Sequence, residues 1–155
     1  MNRLEEYLWY VDFALDQMTA ILVGLGDELA STRPDLPGAN SPYAIVTHCC
    51  GVMEWWGGEM VAGRRVERDR AAEFVATGAV SDLLELVEAA KSRLRADVAG
   101  LDWAAPPRGV VDPADADLPL GQTKSGVLLH IYEELSQHLG QLELTRDVLR
   151  ANASG

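Results

Sequence analysis

The sequence predicts an all-α fold: a four-helix bundle with long crossover connections, occupying residues 1–155 as a single domain. Three observations predict it. A heptad-like apolar seam runs along the N-terminal segment, and a stripe of the same period runs along the C-terminal segment. Breaker-rich loops separate the periodic segments. The chain has 155 residues, 48% of them hydrophobic, which is enough for a core and too apolar for disorder.

The first helix is expected over about 2–31. Leu4, Leu8, Val11, Leu15, Met18, Leu22, Leu25 and Leu29 alternate steps of four and three, which places them on one face. Glu5, Glu6, Asp12 and Asp16 occupy the opposite face, so the helix needs partners over its seam only. Residues 32–40 are rich in proline and glycine and read as a loop. Ser41 is an N-cap with Pro42 at the first helical position, opening a second helix over about 41–62 that stops at Gly63. Its stripe is Ile45, Cys49, Val52, Trp56 and Met60. Gly51, Gly57 and Gly58 weaken it and permit close backbone approach.

Residues 63–80 are basic and then mixed, a loop with at most a short helical turn. Ser81 reads as the cap of a third helix over about 81–99, with Leu84, Val87, Lys91, Leu94 and Val98 along one side and Leu83 and Ala90 beside them. Residues 101–122 carry Pro106, Pro107, Pro113 and Pro119, the acids Asp102, Asp112, Asp115 and Asp117, and Trp103. So long an irregular connection is uncommon in a compact domain and is often functional. It reads as a crossover strap, with a lid or substrate wall as the alternative. The fourth helix is expected over about 125–150, with the stripe Leu128, Ile131, Leu135, His138, Leu142, Thr145 and Leu149.

Charge and composition exclude several functions. A formal net charge of −11 repels phosphate, which argues against nucleic acid and against an anionic membrane surface. The apolar runs are too short and interrupted to cross a bilayer, and the N-terminus lacks the pattern of a secretory signal, so the expected location is the cytoplasm. Cys49 and Cys50 are adjacent and cannot staple distant segments. They read as small buried apolar residues, with a thiolate ligand or redox pair as the alternative.

Three polar residues break the apolar pattern. His138 falls on the seam of the fourth helix, and Glu134 precedes it by one turn, close to the same face. His48 lies beside Cys49 and Val52, next to the stripe of the second helix. Side chains four apart on a helix are neighbours, about 5–6 Å between Cβ atoms, so Glu134 and His138 can grip one ion or each other. His, Glu and His on two helices match a zinc-like site with three protein ligands and an open fourth position. A purely structural salt bridge is the alternative. His130 also lies four residues from Glu134, and the spacing does not decide between the two histidines. Eight residues separate His130 from His138, a rise of about 12 Å, which argues against their sharing an ion.

The Ser41-Pro42 start before His48, together with the run His130-Ile131-Tyr132-Glu133-Glu134-Leu135-Ser136-Gln137-His138-Leu139-Gly140-Gln141, resembles the DinB-like superfamily. It looks nearest the mycothiol-dependent branch of maleylpyruvate isomerases and mycothiol S-transferases. The resemblance covers most of the chain and is most specific in the second and fourth helices. It implies one divalent metal, zinc or nickel, held by His48 from the second helix and by Glu134 and His138 from the fourth, with His130 outside the ligand set. Leu144-Thr145-Arg146-Asp147 resembles the usual continuation. Two departures leave the thiol and the electrophile open: Gln141 stands where the branch often has histidine, and the second domain of the isomerases is missing.

The function so implied is a metal-dependent thiol S-transferase using a low-molecular-weight thiol, such as mycothiol, on a small electrophile. A non-catalytic bundle that binds a metal or small ligand is the alternative. Glu54, Trp55, Trp56 and residues 101–122 are the candidates for shaping a pocket, against the plainer reading of surface acid and core aromatics. A homodimer is also expected. Trp55 and Trp56 are about 100° apart on a helix and cannot both enter one core. With Trp9 beside Tyr10, this leaves aromatic surface to cover. Folding of the long loops over these rings is the alternative.

Overall fold

A computed structural model describes residues 1–153, and among these the fold is all-α with no strand. Helix α1 spans Arg3–Ser31, and α2 spans Pro42–Met53 and runs on without a break as a π-helical segment, Glu54–Ala62. A short α3, Arg70–Glu73, precedes α4, Val80–Asp97. A second short helix, α5 (Pro119–Gln122), precedes the long α6, Lys124–Ala153.

Helix α1 starts where its sequence provides a capping box. The Asn2 side chain accepts from Leu4 and Glu5 N–H at 3.0 Å, and Glu5 returns the bond to the Asn2 N–H at 2.8 Å. Its seam is buried from Val11 to Leu25, while Leu4, Leu8 and Leu29 are only half-buried. The helix is interrupted near its end at Gly26, whose φ of 72° is open to glycine and strained for other residues. Ser41 caps α2 through a 3.2 Å bond from the Ala44 N–H, with Pro42 following as expected.

Four long segments pack on one another: α1 meets α2, α4 and α6, and α2 with its π-helical continuation meets α4 and α6. One continuous core joins Leu15, Met18 and Leu22 of α1 to Ile45 and Met53 of α2, Leu83 and Leu94 of α4, and Leu128, Ile131 and Leu135 of α6.

Several expectations need correction. The second helix is α-helical only as far as Met53; the wider π turn carries Trp55, Trp56, Gly57 and Gly58 and ends on Gly63 at a φ of 73°. Helix α4 begins one residue before Ser81, and its first N–H, on Val80, donates to Asp27 of α1 at 2.8 Å. The cap therefore comes from another helix, and Ser81 Oγ points instead at Asp82. Helix α6 starts at Lys124 and extends to Ala153, beyond the expected Arg150. By length and composition α1 is apolar enough to cross a bilayer, contrary to the sequence reading; here its seam is spent on the core.

The 101–122 connection is a strap whose first part is tied to the π-helical segment and to the start of α6. Arg108 N–H donates to the Met60 carbonyl at 2.7 Å, and the first N–H groups of α6, on Lys124 and Ser125, donate to Ala105 and Trp103 carbonyls at 2.8 and 3.0 Å. Trp103 packs edge-on to Tyr7 and lies under the Arg3 guanidinium, 4.1 Å from the ring centre. The strap also folds over the half-buried Trp55 and Trp56, so the aromatic surface left bare is Trp9, Tyr10 and Phe13 on α1.

Candidate metal centre

His48 sits one turn before the end of α2 and is 3% exposed. Glu134 and His138 project from successive turns of α6 toward it, with side chains 27% and 22% exposed. Glu134 Oε2 lies 3.4 Å from His48 Nε2 and 3.5 Å from His138 Nε2. One ligating atom from each of the three residues falls within 4.8 Å of the others. The three residues singled out from the sequence are therefore brought to one point. The burial gradient leaves the cluster closed on the α2 side and open on the α6 side.

Both histidines are oriented from behind. His48 Nδ1 lies 2.8 Å from Glu73 Oε2, and His138 Nδ1 lies 2.8 Å from the Gln141 side-chain oxygen. Each partner is an acceptor and lies closer to Nδ1, at 2.8 Å, than Glu134 lies to the corresponding Nε2, at 3.4 and 3.5 Å, so the geometry favours the proton on each Nδ1 with the Nε2 lone pair turned inward. The inner space is thus faced by two imidazole lone pairs and a carboxylate. A positive charge among them, whether a bound ion or a proton, relieves their mutual repulsion.

The separations also suit a cation. Four ligands about 2.0–2.2 Å from a tetrahedral ion sit roughly 3.3–3.6 Å apart, as the two measured edges do. A charge-assisted N–H···O bond would be shorter, about 2.7–2.9 Å. The donor set thus fits a divalent ion of zinc or nickel type.

Glu73 and Arg68 were missed in the sequence. Glu73 ends α3 and is 7% exposed. Arg68 donates to it twice, from Nε at 2.6 Å and from Nη2 at 2.9 Å. Phe74 then stacks on the His48 ring at 4.7 Å between centroids. Gly51, one turn beyond His48, makes this possible, because a Cβ there would overlap the Glu73 carboxylate and lie 3.2 Å from Arg68 Nε. The one local signal was Asp69, which caps the turn by accepting from the Ala72 N–H at 3.0 Å.

The other candidates fall outside the cluster. His130 Nε2 is 3.9 Å from Glu134 Oε1, and its ring meets Trp56 edge-on at 4.7 Å. It borders Glu134 from the side away from His48. Glu54 is taken up by Arg64 at 3.0 Å and by Arg93, so it ties the π-helical segment to α4. Trp55 and Trp56, with Met60, Val111, Asp115 and Leu120, line a cavity of about 430 Å³ under the strap. Cys49 and Cys50 are free and buried, and burial pushes both thiols up, Cys50 to about 12. A thiol so shielded is a poor nucleophile, which favours the packing role for the pair.

Comparison with curated proteins and with solved structures finds no match. The family comparison does: residues 6–151, nearly the whole chain and all three clustered residues, match the family model described as mycothiol-S-transferase, and the chain belongs to that family.

Proposed function

We propose that the protein is a metal-dependent thiol S-transferase in which His48, Glu134 and His138 hold one divalent ion, zinc or nickel. The substrates are a low-molecular-weight thiol, such as mycothiol, and a small electrophile. The observation that carries this reading is the convergence of two oriented imidazole lone pairs and a carboxylate on one point. The family supports the thiol and the transfer.

A divalent ion bound there supplies the positive charge that lowers a thiol's pKa and favours the thiolate, the nucleophilic form. The chain's own groups do the rest. Glu73 and Gln141 hold the two imidazoles in the lone-pair-inward orientation. Phe74 stacks on the His48 ring, and small molecules reach the cluster from the α6 side, where Glu134 and His138 are partly exposed. In the transfer, sulfur bonds to the electrophilic atom. The thiol proton goes to solvent, and the electron pair of the broken bond leaves with the departing group.

The test is a thiol-transfer assay with several thiols and a chromogenic electrophile, on chelator-treated protein before and after zinc is restored. Activity that disappears with chelation and returns with zinc is expected. Transfer unaffected by chelation refutes the metal dependence. Metal binding with no transfer for any thiol points instead to a non-catalytic metal-binding bundle.

A further inference from the structure

We propose that Glu73, held by Arg68 in the space that Gly51 leaves open, is the positioning residue that sets the tautomer of His48 and so creates the cluster's deepest ligand. This rests on the metal-site reading given above, and nothing in the family match assigns a role to Glu73.

The argument begins with what an imidazole does when left alone. Neutral histidine protonates either ring nitrogen, and between two acceptors the closer one keeps the proton; for His48, Glu73 lies 2.8 Å from Nδ1 and Glu134 lies 3.4 Å from Nε2. For His48 to serve the cluster, the proton must sit on Nδ1. Around the ring there are two groups within reach of Nδ1: the Glu73 carboxylate at 2.8 Å and Arg68 Nη2 at 3.4 Å. They demand opposite tautomers, since a carboxylate accepts and a guanidinium donates. The shorter contact belongs to the carboxylate. Arg68 is itself committed to that carboxylate through both of its oxygens, at 2.6 and 2.9 Å. Without Glu73, the guanidinium would be the remaining neighbour of Nδ1. It would draw the lone pair to that side and leave the proton on Nε2, facing Glu134.

The two orienting groups are not equivalent. His138 is oriented by a neutral amide from its own helix, three residues on. His48 is oriented by a carboxylate that arrives from a different segment, 25 residues along the chain, and needs a glycine to admit it. Glu73 is nearly fully buried, and among the described residues its carboxylate hydrogen-bonds only Arg68 and His48. A buried carboxylate placed only for packing would be costly, whereas one that fixes a ligand's orientation has a reason to be there.

The experiment reads His48 in the metal-free protein by its imidazole 15N shifts, and then measures zinc affinity by competition with a chromophoric chelator. In the wild type, His48 shows a protonated Nδ1 and an unprotonated Nε2. In Glu73→Ala, the proton moves to Nε2 in most molecules, and zinc affinity falls about 10- to 100-fold, the range typical of lost orienting partners. Glu73→Gln, which keeps one acceptor oxygen, recovers part of the Nδ1–H form. Circular dichroism checks that each variant is folded. If Glu73→Ala proves unstable, Glu73→Leu, which keeps more of the volume and also removes the acceptor, is read in its place. An unchanged tautomer in a folded variant that lacks the acceptor overturns the proposal. Failure of the wild type to bind zinc would overturn the metal-site reading, while the nitrogen shifts would still decide whether Glu73 sets the tautomer.

Discussion

Replacing Gly51 with alanine sets two effects of known sign against each other. Gly51 lies inside α2 with ordinary helical geometry, so a methyl group should stabilise the helix by about 1 kcal/mol. The same methyl would overlap the Glu73 carboxylate. That side chain can swing aside, but only by leaving Arg68 and His48, and breaking a buried pair costs about 3–5 kcal/mol. The second effect wins, with a net loss of about 2–4 kcal/mol. For a chain of this size each kcal/mol moves the midpoint by about 2–4 °C, so Tm should fall by roughly 5–15 °C. Gly140 is the matched control. It lies in α6, and a Cβ there meets nothing within 4 Å. Gly140→Ala should therefore raise stability by about 0.5–1 kcal/mol. Thermal and urea denaturation followed by circular dichroism would measure both. If the two substitutions stabilise equally, the Glu73 carboxylate is not pinned beside Gly51 and the orientation of His48 needs another explanation.

Further outcomes follow from the same contacts. Cys49 and Cys50 should resist alkylation in the native protein at mildly alkaline pH, because burial holds both thiols protonated, and both should react once guanidinium unfolds the chain; labelling followed by mass spectrometry reads this. Gln141→Leu removes the acceptor for His138 Nδ1–H and should lower zinc affinity about 10- to 100-fold in a chelator competition, without changing helix content. We propose that the chain forms a homodimer through the bare α1 face, where Trp9 stacks on Phe13 at 5.5 Å beside Tyr10. Light scattering under reducing conditions should return the dimer mass, and Trp9→Ser should lower it toward the monomer. A wild-type monomer at micromolar concentration would refute this.

The long helices were legible because their information is local and periodic. The seam of α1 and the stripe of α6 repeat often enough that single exceptions do not hide them, and His138 stood out because it replaces an apolar residue in such a repeat. The π-helical segment was not legible. A reading based on 3.6 residues per turn carries straight through Trp55 and Trp56, whereas the wider turn redirects them under the strap. The cap of α4 was misassigned to Ser81 because the true partner, Asp27, comes from another helix. Arg68 and Glu73 escaped for a related reason. They lie in an irregular stretch with no period, and an acid there looks solvated until the fold shows Gly51 beside it. Gln141 looked like a departure from the usual histidine, and the structure gives it a part of its own behind His138.

The most direct test of the account is the stoichiometry of zinc bound at equilibrium by the wild type and by three single variants, with metal content read by mass spectrometry after gel filtration. The wild type should hold one ion per chain. His138→Ala and Glu134→Ala should hold almost none while remaining folded, because each leaves two ligands of the three. His130→Ala should hold as much as the wild type, since His130 lies beside Glu134 and outside the cluster. Zinc retained by His138→Ala and lost from His130→Ala would show that Glu134 works with the other histidine. Zinc absent from the wild type would contradict the metal centre itself.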